Sequence, residues 1–276
     1  MKVLVTGATG RLGRMVVQNL LKSLSAADIA VSVRDTIKAQ DLSNLGIDVR
    51  YGDFNDPASL ATAFKGVDKL LMISTNDPQN RLEQQKVAVK AAKEAGVSFI
   101  AYTSGAKGVQ DHGLTEQAIK ESGIAYCILR NNLYIENELP KIQAATKGAP
   151  WVTAAGEGKI SWASRQDYAE AAANVLLGDD HNNTVYELGG KPLTQKELVA
   201  IISDVIEKEV PVQQVDFETY GKVMLGAGIP EQMIPVQIAI QMAIQAGAMD
   251  VESNDLELLL ARPVTPYEVA IRQMVV

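Results

Sequence analysis

Along the chain, short runs of β-branched and aliphatic residues alternate with longer stretches whose apolar positions recur every three or four residues. The first run, residues 3–6, stops at Gly7. A helical pattern of Leu12, Val16, Val17, Leu20 and Leu21 begins just after Gly10 and ends near Leu24. Further runs that read as buried strands lie at 29–33, 47–51, 67–73, 97–103 and 125–129. Between them Asp35 reads as the N-cap of a helix that ends at Gly46. Residues 57–64 predict a short helix, 78–95 a long amphipathic one stopped by Gly96, and 115–122 one ended by Gly123. Strands and helices alternating at this spacing predict a parallel sheet with right-handed crossovers.

The second half is patterned differently. A helix over 168–177 returns to the sheet before a strand at 185–188, and from Gly190 onward the chain reads as a smaller helical lobe. Thr194 and Glu197 form a capping-box pattern for a helix over 194–207. Gln237, Gln241 and Gln245 recur every four residues in an apolar stretch over 236–246, which reads as the polar face of an otherwise buried helix. Met224, Met233 and Met242 either line an acceptor pocket or belong to the core. The fold expected is α/β, a Rossmann-type doubly wound parallel sheet with a smaller, mainly helical C-terminal lobe. Its nucleotide-binding core is expected over 1–133, completed by 160–189. Residues 134–159 and 190–276 are expected to form a substrate-binding lobe.

Composition narrows the function. The 276 residues are 47% apolar, enough for a sizeable core, with a formal charge of −7 and pI near 5.0. That balance, without a Lys/Arg run, argues against a nucleic-acid partner. The single cysteine, Cys127, sits in an apolar run, and His112 and His181 are isolated from one another. Neither a disulfide framework nor a metal site is expected, nor a flavin. The first strand is broken by glycines and does not read as a signal peptide. No 18-residue apolar span occurs, so no membrane association is expected. A cytoplasmic monomer or homodimer is the expectation.

Gly7, Gly10 and Gly13 stand three residues apart between the first strand and the first helix. Glycine permits positive φ and lets backbone N–H groups approach a phosphate. The helix that follows offers unpaired N–H groups and the positive end of its dipole to the same place. The segment therefore reads as a dinucleotide pyrophosphate site built from Gly7, Thr9, Gly10, Arg11, Leu12 and Gly13; a glycine-rich turn without a ligand is the plainer alternative. Other functional residues should follow the remaining strands at their carboxyl ends. Arg34 stands where an NADP enzyme sets an arginine against the 2′-phosphate, and Arg11 faces the same group. Alternatively, Asp35 binds the ribose of NAD. The arginine favours NADP(H) over NAD(H). Asp53 is placed to accept from the adenine amino group, or to close a turn, and Phe54 to pack on the adenine ring. Ser74 and Thr75 leave room for a ribose, and Thr103 and Ser104 fall where the nicotinamide is expected.

None of the eight tyrosines has a lysine four residues on, so the Tyr-x-x-x-Lys pair of an alcohol dehydrogenase or sugar epimerase is missing. A hydride transfer to a quinone or a delocalised cationic dye needs no such pair. His112 is a candidate proton relay or a surface residue preceding a helix. Tyr134 and Asn137, after the sixth strand, are candidates for lining an acceptor pocket. Arg165 is expected to pair with Asp167.

The segment Val5-Thr6-Gly7-Ala8-Thr9-Gly10-Arg11-Leu12-Gly13, the tip Val33-Arg34, and Ala101-Tyr102-Thr103-Ser104 resemble the NmrA-like atypical short-chain dehydrogenases. So do His112-Gly113-Leu114-Thr115-Glu116, the turn over 131–137, Ala154-Ala155-Gly156-Glu157-Gly158-Lys159-Ile160 and Arg165-Gln166-Asp167-Tyr168-Ala169. The likeness is best to the type 2 NAD(P)H:quinone oxidoreductases, with triphenylmethane reductases as near relatives. It implies hydride transfer from NADPH to a quinone or another planar acceptor. The family also includes NADP-sensing regulators without turnover, which is the main alternative; a nucleotide-sugar epimerase is the second. One departure is the linker over 105–111, shorter than in the quinone reductases, which implies a more open site or a different acceptor.

Overall fold

The apolar runs of the first half form strands where their pattern places them: β1 (Val3–Thr6), β2 (Ile29–Val33), β3 (Asp48–Tyr51), β4 (Lys69–Ile73), β5 (Phe99–Gly105) and β6 (Ala125–Asn131). Two short strands, β7 (Trp151–Thr153) and β8 (Lys159–Ile160), precede β9 (Thr184–Leu188). The computed structural model describes residues 1–77, 79–106 and 110–275, with the backbone alone for residues 110 and 111. Seven strands make one sheet in the order β3-β2-β1-β4-β5-β6-β9, with β1 to β6 paired in parallel. Every residue of β1 and β2 is buried, as a parallel sheet covered on both faces requires. The order reverses at β1, which lies between β2 and β4, and a crevice opens there at the carboxyl ends of the strands.

The crossovers are α1 (Arg11–Leu20), α2 (Gln40–Asn44), α3 (Pro57–Ala63), α4 (Arg81–Glu94) and α5 (Gln110–Ser122). α1 buries Leu12, Val16, Val17 and Leu20, the stripe its sequence spacing predicts. Leu4, Leu70, Met72, Ile100 and Ile128 of the sheet pack with Phe64, Ala88 and Ile119 of the helices in one core. Asp35 is not the helix cap expected of it: its Oδ1 accepts from the Ile37 N–H at 3.1 Å in a local turn, Thr36 precedes the 3₁₀ turn over Ile37–Ala39 without a side-chain capping bond, and α2 follows only after that. Residue 78, the expected start of α4, lies outside the described residues, as do residues 107–109 of the short linker. α5 begins five residues earlier than expected. Gly113 lies within it and is exposed, where a glycine costs only about 1 kcal/mol relative to alanine. His112 is consequently on the helix and not ahead of it.

The chain divides into two compact units: Met1–Asn131, Gln166–Glu187 and Asp255–Arg262 form one, and Asn132–Arg165, Leu188–Asn254 and the chain from Pro263 form the other. The first also holds α7 (Arg165–Leu177), save its first residue, after α6 (Leu139–Thr146) of the second. The second unit carries α8 (Gln195–Val205), α9 (Phe217–Gly226) and α10 (Ile234–Gln245), with the capping box of Thr194 and Glu197 formed as expected. α10 overturns its sequence reading. Gln241 is its buried polar residue, and its side-chain carbonyl oxygen accepts from the Thr153 hydroxyl and the Ala154 N–H, both at 2.9 Å. Val236 and Met242 face solvent, as does Met233 just before the helix, so these methionines are not core. No helix among the described residues is long and apolar enough to cross a membrane.

Candidate functional site

The tips of β1 to β4 surround a cleft of about 560 Å³ within the first unit. At the end of β1 the Thr6 hydroxyl donates to the Leu71 carbonyl at 3.2 Å and accepts from the Ile73 N–H at 2.9 Å, tying β1 to β4 under the crevice. The chain then turns at Gly7, whose φ of +63° only glycine adopts without strain. The Gly10 N–H donates to the Gly7 carbonyl at 2.9 Å. A Cβ on Gly13 would stand 2.5 Å from that same carbonyl oxygen, so α1 can come this close only with glycine there. Gly10 caps α1 in an extended conformation, with no side-chain capping bond and no acidic residue in the first turn. The amino end of α1 therefore keeps its N–H groups for an anion.

The tips of β2 and β3 supply charge and a ring. Arg34 and Lys38 both line the cleft and both are exposed; Asp35 holds the Lys38 ammonium at 3.5 Å. Arg14 of α1 pairs with Asp41 and donates to the Lys38 carbonyl at 3.3 Å, which fixes the turn that carries Lys38. The hydrogen bond from Arg14 holds the Asp41 carboxyl below the usual carboxylate range. Asp53 closes a turn, one of its two expected roles, and also borders the cleft. Its Oδ1 accepts from the Asn55 backbone and side chain at 2.9 and 3.1 Å, closing a turn, and the residue lines the cleft beside Phe54. From α4 the Gln84 amide donates to Asn55 Oδ1 at 3.2 Å and to Asp77 Oδ2 at 3.1 Å, forming the far wall.

Of the residues expected to hold the cofactor, Gly7, Thr9 and Gly10 line the cleft from β1, Arg34 from β2, Asp53 and Phe54 from β3, and Ser74 and Thr75 from β4. Arg11 opens α1 on its exposed side, Leu12 turns into the core, and Gly13 lies beneath the glycine turn. Thr103 and Ser104 are buried behind the β4 and β5 tips: the Thr103 hydroxyl accepts from the Ser74 N–H at 3.1 Å, and Ser104 donates to Glu116 at 2.7 Å. Lys38, Asn55 and Gln84 were missed. Lys38 was within reach of sequence reading, because it stands one turn beyond Arg34; Gln84 was not, since only the fold brings α4 to the β3 tip. The donor set fits a dinucleotide: the Ser32 Oγ and Thr75 Oγ1 atoms are buried at the cleft without a hydrogen-bond partner, ready for a polar ligand.

Beyond β5, Glu116 of α5 takes two hydrogen bonds from Arg130, at 2.9 and 2.6 Å, and Arg130 reaches Glu187 at 2.6 Å. Burial pushes the Glu116 carboxyl up, but the bonds from Arg130 and Ser104 outweigh it and hold it below the ordinary range. The Tyr102 hydroxyl lies 2.8 Å from His112 Nδ1. In the second unit Arg165 stacks over the Tyr134 ring, 4.8 Å from its centroid, and its N–H donates to Glu136 at 2.8 Å, while Asn137 is exposed. Arg165 thus does not take the expected partner. Asp167, fully buried in the first unit, is bound instead by Arg262 at 2.7 Å, from a segment 95 residues downstream that no local pattern links to it.

The NmrA-like family model matches residues 1–257. The chain is 37% identical to quinone oxidoreductase 2 of Escherichia coli (strain K12) over 271 residues, 95% of each chain. It superposes on the crystal structure of an NADPH-dependent quinone oxidoreductase from Escherichia coli complexed with NADPH with a TM-score of 0.95, at 36% identity over 99% of both chains. The Citrobacter sp. triphenylmethane reductase complexed with NADP(H) gives a TM-score of 0.94, at 38% identity over 100% of both. With the glycine turn, the open helix end and the cationic β2 tip in place, the chain belongs to the NmrA-like family.

Proposed function

We propose that this protein is an NAD(P)H-dependent oxidoreductase that reduces a quinone-like or other planar acceptor, with NADPH as the preferred donor. One observation carries the cofactor half: a cleft at the sheet's switch point that joins a glycine turn, an uncapped helix end, and Arg34 with Lys38 on its rim. The acceptor half is supported by the relatives, which are named as reductases of quinones and triphenylmethane dyes. When bound, the reduced nicotinamide supplies hydride. The protein's own residues bind and orient. The amino end of α1 holds the diphosphate, Arg34 and Lys38 the 2′-phosphate, and Asp53, Phe54 and Gln84 the adenine end. With no Tyr-x-x-x-Lys pair, the chain contributes position and exclusion of water more than acid–base chemistry. Tyr134 and Asn137 are proposed on the acceptor side, within a lobe formed by 134–159 and 190–276.

NADPH oxidation followed with benzoquinone, menadione and a triphenylmethane dye tests this directly. Turnover is expected with at least one of them; tight NADPH binding without turnover on any would favour an NADP-sensing regulator. Arg34→Asp is expected to weaken NADPH binding roughly 10- to 150-fold, the worth of one charge-assisted contact, and to leave NADH nearly unchanged. Equal losses for both nucleotides would show that Arg34 does not read the phosphate.

A further inference from the structure

Among the described residues of the second unit, one nearly buried guanidinium has no carboxylate partner. It belongs to Arg165, the first residue of α7, which is 8% exposed. Backbone pairing brings it to the turn after β6. Tyr134 bridges in parallel to Ala163, the Ile135 N–H donates to the Ala163 carbonyl at 3.0 Å, and the Ala163 N–H donates to the Leu133 carbonyl at 3.2 Å. The guanidinium carbon then lies 4.8 Å from the Tyr134 ring centroid. Its one hydrogen bond among the described residues runs from Nη2 to Asn137 Oδ1 at 3.5 Å, the long limit of such a bond. A guanidinium carries five N–H donors and keeps its proton at any physiological pH, so most of its donors remain available.

The acids close to it in the chain are engaged elsewhere. Glu136 sets both carboxylate oxygens on the Arg165 backbone N–H, at 2.8 and 3.1 Å, and not on the guanidinium. Glu138 pairs with Lys141 at 3.0 Å. Asp167, two residues along, is held by Arg262 at 2.7 Å. A charge taken out of water without a counter-charge costs stability, and an aromatic face offsets only part of that. A cation left in this state is a receptor for an anion, and the arginine fork suits an anionic oxygen.

We propose that Arg165 binds the acceptor oxygen on which negative charge develops, and that the acceptor class is therefore a neutral or anionic quinone and not a cationic dye. The inference rests on the reading of this chain as a reductase with Tyr134 and Asn137 on the acceptor side, and narrows its substrate. Quinone reduction breaks a C–H bond of the reduced nicotinamide and carries hydride, with its two electrons, to the quinone. The nicotinamide is oxidised by two electrons, and the quinone becomes a hydroquinone monoanion with its charge on oxygen. Water supplies the proton that completes the hydroquinone. Arg165 stabilises the oxyanion without transferring a proton, which suits a chain without the Tyr-x-x-x-Lys pair. A triphenylmethane cation is positive until it takes hydride, so the same guanidinium opposes its binding.

The test has a binding arm and a kinetic arm. The binding probes are 2-naphthoate and 2-naphthamide, planar isosteres that differ in charge, titrated with NADP⁺ present so that the cleft beside Arg34 and Lys38 is filled. Naphthoate should bind the tighter. Arg165→Met should cut that preference roughly 10- to 150-fold, the worth of one charge-assisted contact, and Arg165→Lys should restore part of it. No preference in the unaltered protein, or one unchanged by Arg165→Met, overturns the proposal. Arg165→Gln takes its place in the comparison should Arg165→Met fail to fold. In the kinetic arm, Arg165→Met should lower kcat/KM for menadione by a similar factor and leave that for a triphenylmethane dye undiminished. Its melting temperature should not fall, since the change removes a buried cation without a counter-charge. Equal losses with quinone and dye, together with a lower melting temperature, would mark Arg165 as structural and overturn the proposal. If the unaltered protein oxidises NADPH with no acceptor, the enzymatic reading fails and the acceptor role with it, while the naphthoate preference still decides whether Arg165 is an anion site.

Discussion

α1 and α10 read almost alike in the sequence, as apolar stripes broken by regularly spaced polar residues, yet α1 buries an aliphatic stripe while α10 buries one glutamine beside Ile244 and leaves much of its apolar stripe partly exposed. In α1 the aliphatic stripe goes in, because the helix covers a parallel sheet whose own residues are wholly apolar on that side. In α10 the glutamine goes in, because it meets the end of a three-residue strand whose backbone N–H and threonine hydroxyl need a partner. Periodicity identifies a face; it does not say which face is inside. That is set by what the facing element demands, and a short strand with loose ends demands hydrogen bonds. The exposed Val236 and Met242 are the other side of the same choice.

The comparison breaks most visibly in the first unit, where one cluster departs from its apolar rule. Arg130→Met should leave the Glu116 carboxylate, whose side chain is 6% exposed, without its bidentate partner. The expected loss is about 3–5 kcal/mol at pH 7, the usual cost of stranding a buried charge. The pH dependence has a definite sign. The folded Glu116 sits below its ordinary value of 4.5, so its contribution is full above that value and is lost as pH falls through the folded one. The gap between the unaltered protein and Arg130→Met, measured by urea unfolding, should therefore narrow below pH 4.5. A gap that stays constant into acid would mean Glu116 is not the group being stabilised.

A smaller effect sharpens the contrast from the other side. Gln241→Leu should cost about 2 kcal/mol, because it leaves the Thr153 hydroxyl and the Ala154 N–H buried and unpaired. Gln237→Leu and Gln245→Leu, one turn away on either side and not buried, should stay within about 0.5 kcal/mol. If Gln241→Leu instead raised the melting temperature, the two bonds to Gln241 would contribute less than the apolar side chain that replaces it.

The same division explains how much was legible beforehand. The strands, the crossovers and the cleft-lining positions of Gly7, Arg34, Asp53 and Ser74 follow from signals contained within a few residues: a run, a glycine, a strand tip. α5 starts ahead of its expected first residue because a helix tolerates one glycine, Gly113, when the turn that follows is anchored, here by Thr115 and Glu116 in the core. Gln84 at the β3 tip, Arg262 on Asp167 and the partner of Gln241 were out of reach, since each joins elements 29 or more residues apart and depends on side-chain reach more than on pattern.

The smallest prediction tests that explanation inside the less legible unit. The Thr194–Glu197 capping box is a local signal, and it forms there as its spacing requires: Thr194 Oγ1 accepts from the Glu197 N–H at 3.2 Å, and the Glu197 carboxylate accepts from the Thr194 N–H at 2.7 Å. That second bond also holds the Glu197 carboxyl below the usual range. Thr194→Ala should cost ~1 kcal/mol, as at other helix N-caps, and Thr194→Ser nearly nothing. The two halves of the box share an N-terminus, so Thr194→Ala and Glu197→Ala combined should cost less than the sum of the single changes. Additive losses, read by thermal unfolding, would show the two bonds acting separately; no loss from Thr194→Ala would mean that even a well-formed local motif is overridden by packing in this unit.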